Sequence, residues 1–582
     1  MNGFRDMVGF IWSVADLLRG DYKQSEYGKV MLPLTVLRRL DCVLEPTKEE
    51  VLEQARKLGD KIGNLEPVLK RASGHDFYNL SPLNFRGLLA DPEHLAANLR
   101  LYIDAFSPGA VDVLDKYGFD AQIARLDDAG LLYQVVARFA DIDLHPSKVN
   151  NLDMGYVFEE LIRKFSEISN ETAGEHFTPR EVIQLMVNLL LEDEADTLAT
   201  PGIAKSLYDP ACGTGGMLST AEEWVREHNS QAQLELFGQE LNPETYAICR
   251  SDMMLKGNDA QNIALGNSFS QDAHEGRTFD YMLANPPFGV EWKKVQRFIM
   301  DEAARGHAGR FGAGTPRIND GSLLFLQHMI SKMKPVSEGG SRLAIVFNGS
   351  PLFTGAAGSG ESEIRRWILE NDWLEGIVAL PDQLFYNTGI STYFWILSNR
   401  KRPELKGKVV LLDARDQWVK MRKSLGDKRK EISAAQIRDI TQRYADALEI
   451  AGDESHPAHS KIKVFPTTAF GYQRITVERP LRLRFEVTED TLASLQASKA
   501  FKTLSDDDGA RLVTALKTLT AADGSTKKAF AAALRSALTA AGLTLSTAVT
   551  KAVWSAVSVP DADGELQTDS KGRPLPDPDL RD

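Results

Sequence analysis

Cysteine is nearly missing: Cys42, Cys212 and Cys249 are the only three in 582 residues, far apart and without a CxxC pair. That excludes a disulfide framework and a structural zinc site, so the thiols are read as reduced and no metal is expected. Long apolar runs are missing too. No stretch of 18 or more apolar residues occurs, and the start, Met-Asn-Gly-Phe-Arg-Asp-Met-Val-Gly-Phe, lacks the basic opening and cleavage site of a signal peptide. A cytoplasmic protein with no membrane partner is the expectation. Positive charge is scarce as well. The formal net charge is -13, and affinity for a polyanion comes from phosphate neutralisation by Lys and Arg. Any contact with nucleic acid must therefore be local or supplied by a partner. One stretch runs against the trend: residues 400–430 hold twelve Lys or Arg against four Asp or Glu. It reads equally well as a local phosphate contact or as a solvated charged helix.

What is present divides the chain. A length of 582 residues exceeds what one core usually supports, so two or three domains are expected. Residues 1–155 are helical in period, with groups such as Val30, Leu32, Leu34, Leu37 and Leu40 set among polar residues. Within 156–475, from about residue 200, short apolar runs alternate with helix-length stretches. The runs are Ser206–Tyr208, Leu236–Phe237, Tyr281–Ala284, Leu343–Phe347, Gly376–Leu380, Tyr393–Leu397 and Val409–Leu412. That pattern predicts an α/β fold: a doubly wound, Rossmann-like, largely parallel sheet flanked by helical N-terminal and C-terminal regions. Residues 476–558 read as helical again, a possible docking region for a partner, and 559–582 as a flexible polar tail.

Two segments of the α/β region carry chemistry. Asp209-Pro210-Ala211-Cys212-Gly213-Thr214-Gly215-Gly216-Met217 follows a predicted strand and precedes a predicted helix, Leu218 to Glu227. Glycines at such a turn let backbone approach a ligand closely. The loop is neither GxxxxGK[ST] nor a full GxGxxG, which argues against a phosphate cradle. Twenty-four residues beyond Gly216, Glu240 ends the second predicted strand, the position that holds the ribose hydroxyls of a nucleoside cofactor. Upstream lies Gly174-Glu175-His176-Phe177-Thr178-Pro179-Arg180-Glu181. Thr178 to Glu181 fits a capping box with Pro at the first helical position, opening an apolar helix through Val182, Ile183, Leu185, Met186 and Leu189. Its open N-terminus suits a carboxylate such as that of methionine.

The second segment is Asn285-Pro286-Pro287-Phe288, after the buried-strand pattern Tyr281–Ala284. Two prolines stiffen the loop, so the Asn285 side-chain oxygen and the Pro286 carbonyl can act as paired acceptors. An amino group conjugated with a ring or carbonyl is a poor nucleophile. Acceptors on its hydrogens help it pyramidalise and attack a methyl donor. Phe288 offers a stacking face for a base taken out of a duplex.

Glu175 to Arg180, Asp209 to Met217, Glu240 and Asn285 to Phe288, in this order, resemble the motifs of amino-group adenine DNA methyltransferases. The helical N-terminal region, Gly-Glu-His-Phe-Thr-Pro-Arg, Ile377–Pro381 and Leu384–Ile390 look like the methylation subunit of type I restriction-modification systems, over roughly residues 1 to 480. The resemblance implies S-adenosyl-L-methionine as cofactor, transfer of its methyl group to N6 of adenine in double-stranded DNA, and Asn285, Pro286, Pro287 and Phe288 as the catalytic set. It further implies that Glu175, His176, Phe177, Thr178, Pro179 and Arg180, with Asp209, Gly213, Thr214, Gly215 and Gly216, hold the methionine part. Glu240 would hold the ribose, and Asn267, where the family often has Asp, would lie near the cofactor adenine with its acceptor kept and its charge lost. The implied partners are a specificity subunit, a second methylation subunit and a restriction subunit. Some relatives run on past the end of this chain, so a C-terminal truncation is one reading of Leu580-Arg581-Asp582.

Two alternatives stay open on the residues alone. A protein glutamine methyltransferase resembles the family in its Asn-Pro-Pro-aromatic loop, because an amide nitrogen poses the same problem as N6. A non-catalytic scaffold for a DNA-reading partner would keep the fold without the chemistry. An NAD enzyme would leave the Asn-Pro-Pro-Phe loop without a use.

Overall fold

The computed structural model of the chain describes residues 9, 13–59, 61–168, 178–386, 388–425, 427–473, 475–519 and 526–581. They divide into two compact units, Met1–Tyr472 and Gln473–Asp582.

The first unit begins with a bundle of helices around Tyr27–Leu44, whose eighteen residues are almost all buried. A helix enclosed on every side is apolar all round rather than striped. Its two arginines are buried and bonded: Arg38 pairs with Asp41 at 2.6 Å, and Arg39 donates to Val149 O at 2.7 Å and Asn151 Oδ1 at 2.8 Å. The bundle sits against the helix Pro243–Lys256. Arg250 pairs with Asp112 at 2.9 Å, and the Tyr117 hydroxyl donates to Ser251 Oγ at 3.1 Å.

The rest of the unit is built on a nine-stranded sheet. Its strands are β1 (Ala204–Asp209), β2 (Gln233–Glu240), β3 (Ile263–Leu265), β4 (Tyr281–Ala284), β5 (Arg342–Phe347), β6 (Leu374–Ala379), β7 (Tyr393–Ser398), β8 (Lys408–Asp413) and, after the separate hairpin β9 (Val419–Leu425) and β10 (Lys428–Glu431), β11 (Ile462–Pro466). Their order is β11-β8-β6-β7-β5-β4-β1-β2-β3. Strands β3, β2, β1, β4 and β5 run parallel, and β6 is parallel to β8. Strand β7 lies antiparallel between β5 and β6, and β11 closes one edge antiparallel to β8. The doubly wound, mostly parallel sheet expected from the run pattern is present, and all seven predicted runs fall on its strands. After β1 the chain winds outward through β2 and β3, then returns to lay β4 on the other side of β1. A crevice opens where the order reverses, at the carboxyl ends of β1 and β4.

A buried ion pair ties the far end of this sheet. Arg342, at the start of β5, pairs with Glu375 of β6 at 2.6 Å and donates to Leu190 O at 2.6 Å, while Tyr444 donates its hydroxyl to Glu375 at 3.1 Å.

Two expectations are corrected. Residues 400–430 do not form a charged helix: apart from a 3-10 turn at Pro403–Leu405 they hold β8 and the hairpin β9–β10. Much of their charge is used internally, with Arg400 on Glu194 at 2.9 Å and Lys401 on Asp372 at 2.5 Å. The second unit is not purely helical either, and its polar tail is not without structure. Strand Arg482–Phe485 pairs with Ser558–Pro560 and Glu565–Leu566, and Glu478–Pro480 pairs with Pro576–Arg581. These strands are two to six residues long, and their prolines sit on edge strands, where a missing N–H costs no ladder bond. So short a pattern, broken by Pro, Asp and Gly, carries no strand period in the sequence.

Candidate active site

The crevice at the sheet's point of reversal holds a cavity of about 910 Å³. Its wall gathers residues from across the first unit: Thr178, Asp209, Gly213, Thr214, Gly216, Glu240, Asn267 and the whole run Asn285–Phe288. Eleven of the seventeen residues singled out in the sequence therefore meet around one space. Of the others, Glu175, His176 and Phe177 lie outside the described residues. Pro179 is buried beside Thr178 at the head of the helix Arg180–Leu191. Arg180 turns away, toward Glu159 at 3.6 Å and Glu223 at 3.9 Å, with the Tyr156 ring beneath it. Gly215 works from behind the wall: at φ 86° it is in left-handed backbone, and a Cβ there would meet Cys249 Sγ at 2.8 Å. Only glycine relieves both constraints at once.

The glycine loop is held from the second strand. Both Glu240 oxygens accept backbone N–H groups, Oε2 from Gly213 at 2.8 Å and Oε1 from Asn242 at 2.7 Å. The acid thus braces the loop that follows β1 while lining the cavity. Asp209 ends β1 and is fully buried, and burial pushes its carboxyl up to about 8, with Glu240 adding to the rise and a bond from Ala211 N at 2.9 Å opposing it. Asn267 lines the cavity, but its Oδ1 accepts from Phe269 N at 2.9 Å and Ser270 N at 3.3 Å. The acceptor expected to face an adenine is taken up by its own turn.

Asn285 follows directly on β4. Its Nδ2 donates to Thr178 Oγ1 at 2.9 Å, and its Oδ1 is buried with no hydrogen-bond partner among the described residues. A buried acceptor left without a donor costs roughly 1–3 kcal/mol. Such a group at a cavity wall calls for a donor, and a ligand in the cavity can supply one. The bond also corrects the capping-box expectation. Pro179 takes the cap position with no side-chain bond, Thr178 Oγ1 serves Asn285 instead, and Glu181 is paired with Lys428. Phe288 is half-buried, its ring edge-on to Phe385 at 6.1 Å.

Sequence reasoning missed part of the wall. Phe385, Thr388 and Ile390 line the cavity, as does Asn348 just beyond β5. The string Leu384–Ile390 stood out as family-like, yet nothing in its spacing gave it a place. Cys212 also lines the cavity, within hydrogen-bonding reach of the buried Cys249 thiol, a contact that, together with burial, pushes the Cys212 thiol well up. Their separation in sequence concealed that contact.

Comparison with known proteins decides the family. The family model described as N-6 DNA Methylase matches residues 150–463, and the HsdM N-terminal domain model matches 7–139. The chain belongs to the N-6 DNA methylase family. It is thereby a site-specific DNA methyltransferase directed to N6 of adenine, as the motif order implied. Among its relatives is the type I restriction enzyme MjaIX methylase subunit of Methanocaldococcus jannaschii, 27% identical over 75% of this chain and 76% of that one. The HindI methylase subunit of Haemophilus influenzae is 31% identical over 45% of this chain and 54% of its own length. A solved type I restriction-modification methyltransferase subunit from Streptococcus thermophilus shares the fold, with a TM-score of 0.60 and 22% identity over 80% of this chain and 96% of that one. No described helix of this N-6 DNA methylase is long and apolar enough to cross a membrane.

Proposed function

We propose that this N-6 DNA methylase takes its methyl group from S-adenosylmethionine and works as the methylation subunit of a type I restriction-modification complex on double-stranded DNA. One observation carries the reading: a buried amide oxygen, Asn285 Oδ1, without a partner among the described residues, at the wall of a 910 Å³ cavity that a glycine loop braced by an acid also lines.

The residues present fit the cofactor. The cavity lies within the size range of small-molecule sites, its loop is open to close backbone approach, and Glu240 stands at the ribose position. Bound there, S-adenosylmethionine supplies a methyl group activated by the sulfonium. The chain's own residues do the rest. Thr178 fixes the amide of Asn285 so that Oδ1 is offered to the cavity, where it accepts an N6 hydrogen. The Pro286 carbonyl is the second acceptor, and the prolines hold both in place before reaction, so no reorganisation is needed as charge develops on nitrogen. Phe288, buttressed by Phe385, stacks on the extruded base. Glu175, His176 and Phe177 keep the cofactor role that the family resemblance gives them.

A specificity subunit, a second methylation subunit and a restriction subunit are the partners this reading requires. The net charge of -13 favours it, since sequence reading and most of the grip on DNA then fall to another chain. The helical bundle, matched by the HsdM N-terminal domain model, favours DNA over a protein glutamine substrate. Sequencing DNA from cells with and without the gene tests the whole reading. N6-methyladenine at a fixed split motif is expected only where the gene is present. Identical methylation in both would overturn it.

Asp209 gives the cofactor step a pH signature. A cationic ligand beside it favours the ionised carboxyl, whereas below about 8 the free protein holds that proton. Binding therefore displaces a proton, and affinity rises from pH 6 toward 8 by up to about tenfold per unit. Calorimetry in buffers of different ionisation enthalpy reads the proton release directly. Asp209→Asn should flatten the profile, and a flat profile in the unaltered protein would refute the coupling.

A further inference from the structure

The hairpin β9–β10 stands apart from the nine-stranded sheet as a two-stranded ribbon. Residues 419–431 carry six Lys or Arg and two Asp or Glu in a chain whose net charge is -13. We infer that this ribbon is a phosphate-contact arm that grips the DNA backbone beside the cavity.

Its cations are divided between two tasks. Lys428 is buried: it pairs with Glu181 and donates to Leu384 O at 3.0 Å and Lys430 O at 2.8 Å. Lys430 pairs with Asp382 and lies over the Trp418 ring at 4.3 Å. These two are anchors. Lys420, Arg422 and Arg429 are exposed, and none of the three has an ion pair among the described residues. The one side-chain bond among them is neutral, from Arg429 to Ser424 Oγ at 3.0 Å. Three unneutralised cations on one ribbon are a local exception to the acidic surface.

The anchors fix where the arm sits. Asp427 N donates to Tyr386 O at 2.9 Å, and Arg429 N and Lys430 N both donate to Gln383 O at 3.0 and 3.2 Å. Gln383 is held at φ 59°, in left-handed backbone that a non-glycine residue adopts only when its surroundings demand it. Two residues on, Phe385 forms the cavity wall and buttresses Phe288. Glu181, the partner of Lys428, lies three residues from Thr178, which holds Asn285. The ribbon is thus tied to two of the segments that supply the cavity wall, the one with Phe385 and the one with Thr178. A base drawn into the cavity brings its own flanking phosphates to the rim, and cations there lose little by ordering because their strands are already fixed. Phosphate contacts position a duplex without reading its sequence, which matches an arm whose exposed cations, Lys420, Arg422 and Arg429, outnumber its exposed acids, Asp427 and Glu431.

The inference rests on duplex DNA being the substrate. The test is the full chain with Lys420→Ala, Arg422→Ala and Arg429→Ala combined, titrated against duplex DNA by fluorescence anisotropy over a range of salt. Each phosphate contact contributes about 0.9 to the slope of log affinity against log salt. The triple variant should show a slope shallower by about 2 to 3, with binding weakened alike on all sequences and cofactor affinity unchanged. A second variant, Lys420→Arg, Arg422→Lys and Arg429→Lys, keeps the charges and should keep the slope. If the alanine variant matches the unaltered slope, or loses only its hold on a protein subunit, the arm is not a phosphate contact. If the charge-keeping variant also loses the slope, shape rather than charge is responsible and the inference falls. A natural chain that binds no duplex even at low salt would also sink the arm, whereas the DNA reading itself falls only if cellular methylation is the same with and without the gene, so the two failures are distinguishable.

Discussion

Asn285→Ala should lower methyl transfer by roughly 10²- to 10³-fold, the loss seen when one preorganised group facing developing charge is removed. The reason is local. Asn285 Oδ1 is buried and has no donor to accept from among the described residues, so it contributes little to holding the fold. Its bond to Thr178 is made by the other end of the amide, at 2.9 Å. Removing the side chain therefore takes away an interaction made mainly in the transition state, and turnover falls while ground-state binding stays nearly intact. Single-turnover transfer beside calorimetric cofactor binding separates the two. Unchanged turnover in the variant would remove Asn285 from the chemistry.

The largest loss of stability is expected far from the site. Arg342 and Glu375 are 2% and 3% exposed and joined at 2.6 Å, with Leu190 O and the Tyr444 hydroxyl also bonded to them. Arg342→Met leaves the buried Glu375 carboxylate with the Tyr444 hydroxyl and the charge of Arg402, and should cost about 3–5 kcal/mol. Replacing both, Arg342→Met with Glu375→Leu, should recover most of it, because the pair itself earns little beyond its own desolvation. The Arg342 guanidinium and the Tyr444 hydroxyl more than offset burial and hold the Glu375 carboxyl below its ordinary range. Its folded value lies below its unfolded one, so its stabilising contribution is present above the ordinary carboxylate range and lost as pH falls through the lower, folded value. Denaturant melts of the single and double variants at neutral and acid pH check both statements. Equal melts for single variant and parent would show that the pair is dispensable.

Most of the fold was legible because its signals are local. A strand buried on both faces reads as a continuous apolar run, and seven such runs gave β1, β2 and β4 to β8. Strand β3 is three residues long, too short to show a period. Strand β11 carries Lys463 and ends in Pro466 at the sheet edge, where one side lacks a neighbour and the apolar run breaks. The site was legible for a different reason: glycine, paired proline and a lone acid at a strand end each do something few other residues can. What stayed hidden depends on partners distant in sequence. Thr178 looked like a helix cap because its neighbours fit one, and only the packed chain shows its hydroxyl engaged by a residue 107 positions away. Phe385 is an ordinary aromatic until β6 and β7 bring its loop to the cavity. The basic stretch could be counted, yet counting could not separate buried anchors from free cations.

The antiparallel insertion of β7 between β5 and β6 has a consequence for synthesis on the ribosome. Every residue of β5 is buried in the finished protein, and one of its two edges is closed by β7 alone. While the chain is being made, that edge stays unpaired from Phe347 until Ser398 has emerged, and β6, though translated first, has no place beside β5 to occupy. At about 5–20 residues per second the wait is on the order of seconds. Nascent chains that end in this interval present a long apolar strand edge, the template for unwanted pairing with a neighbour. The same sheet that opens a crevice between β1 and β4 thus sets a window in which the growing polypeptide has an apolar strand edge to protect.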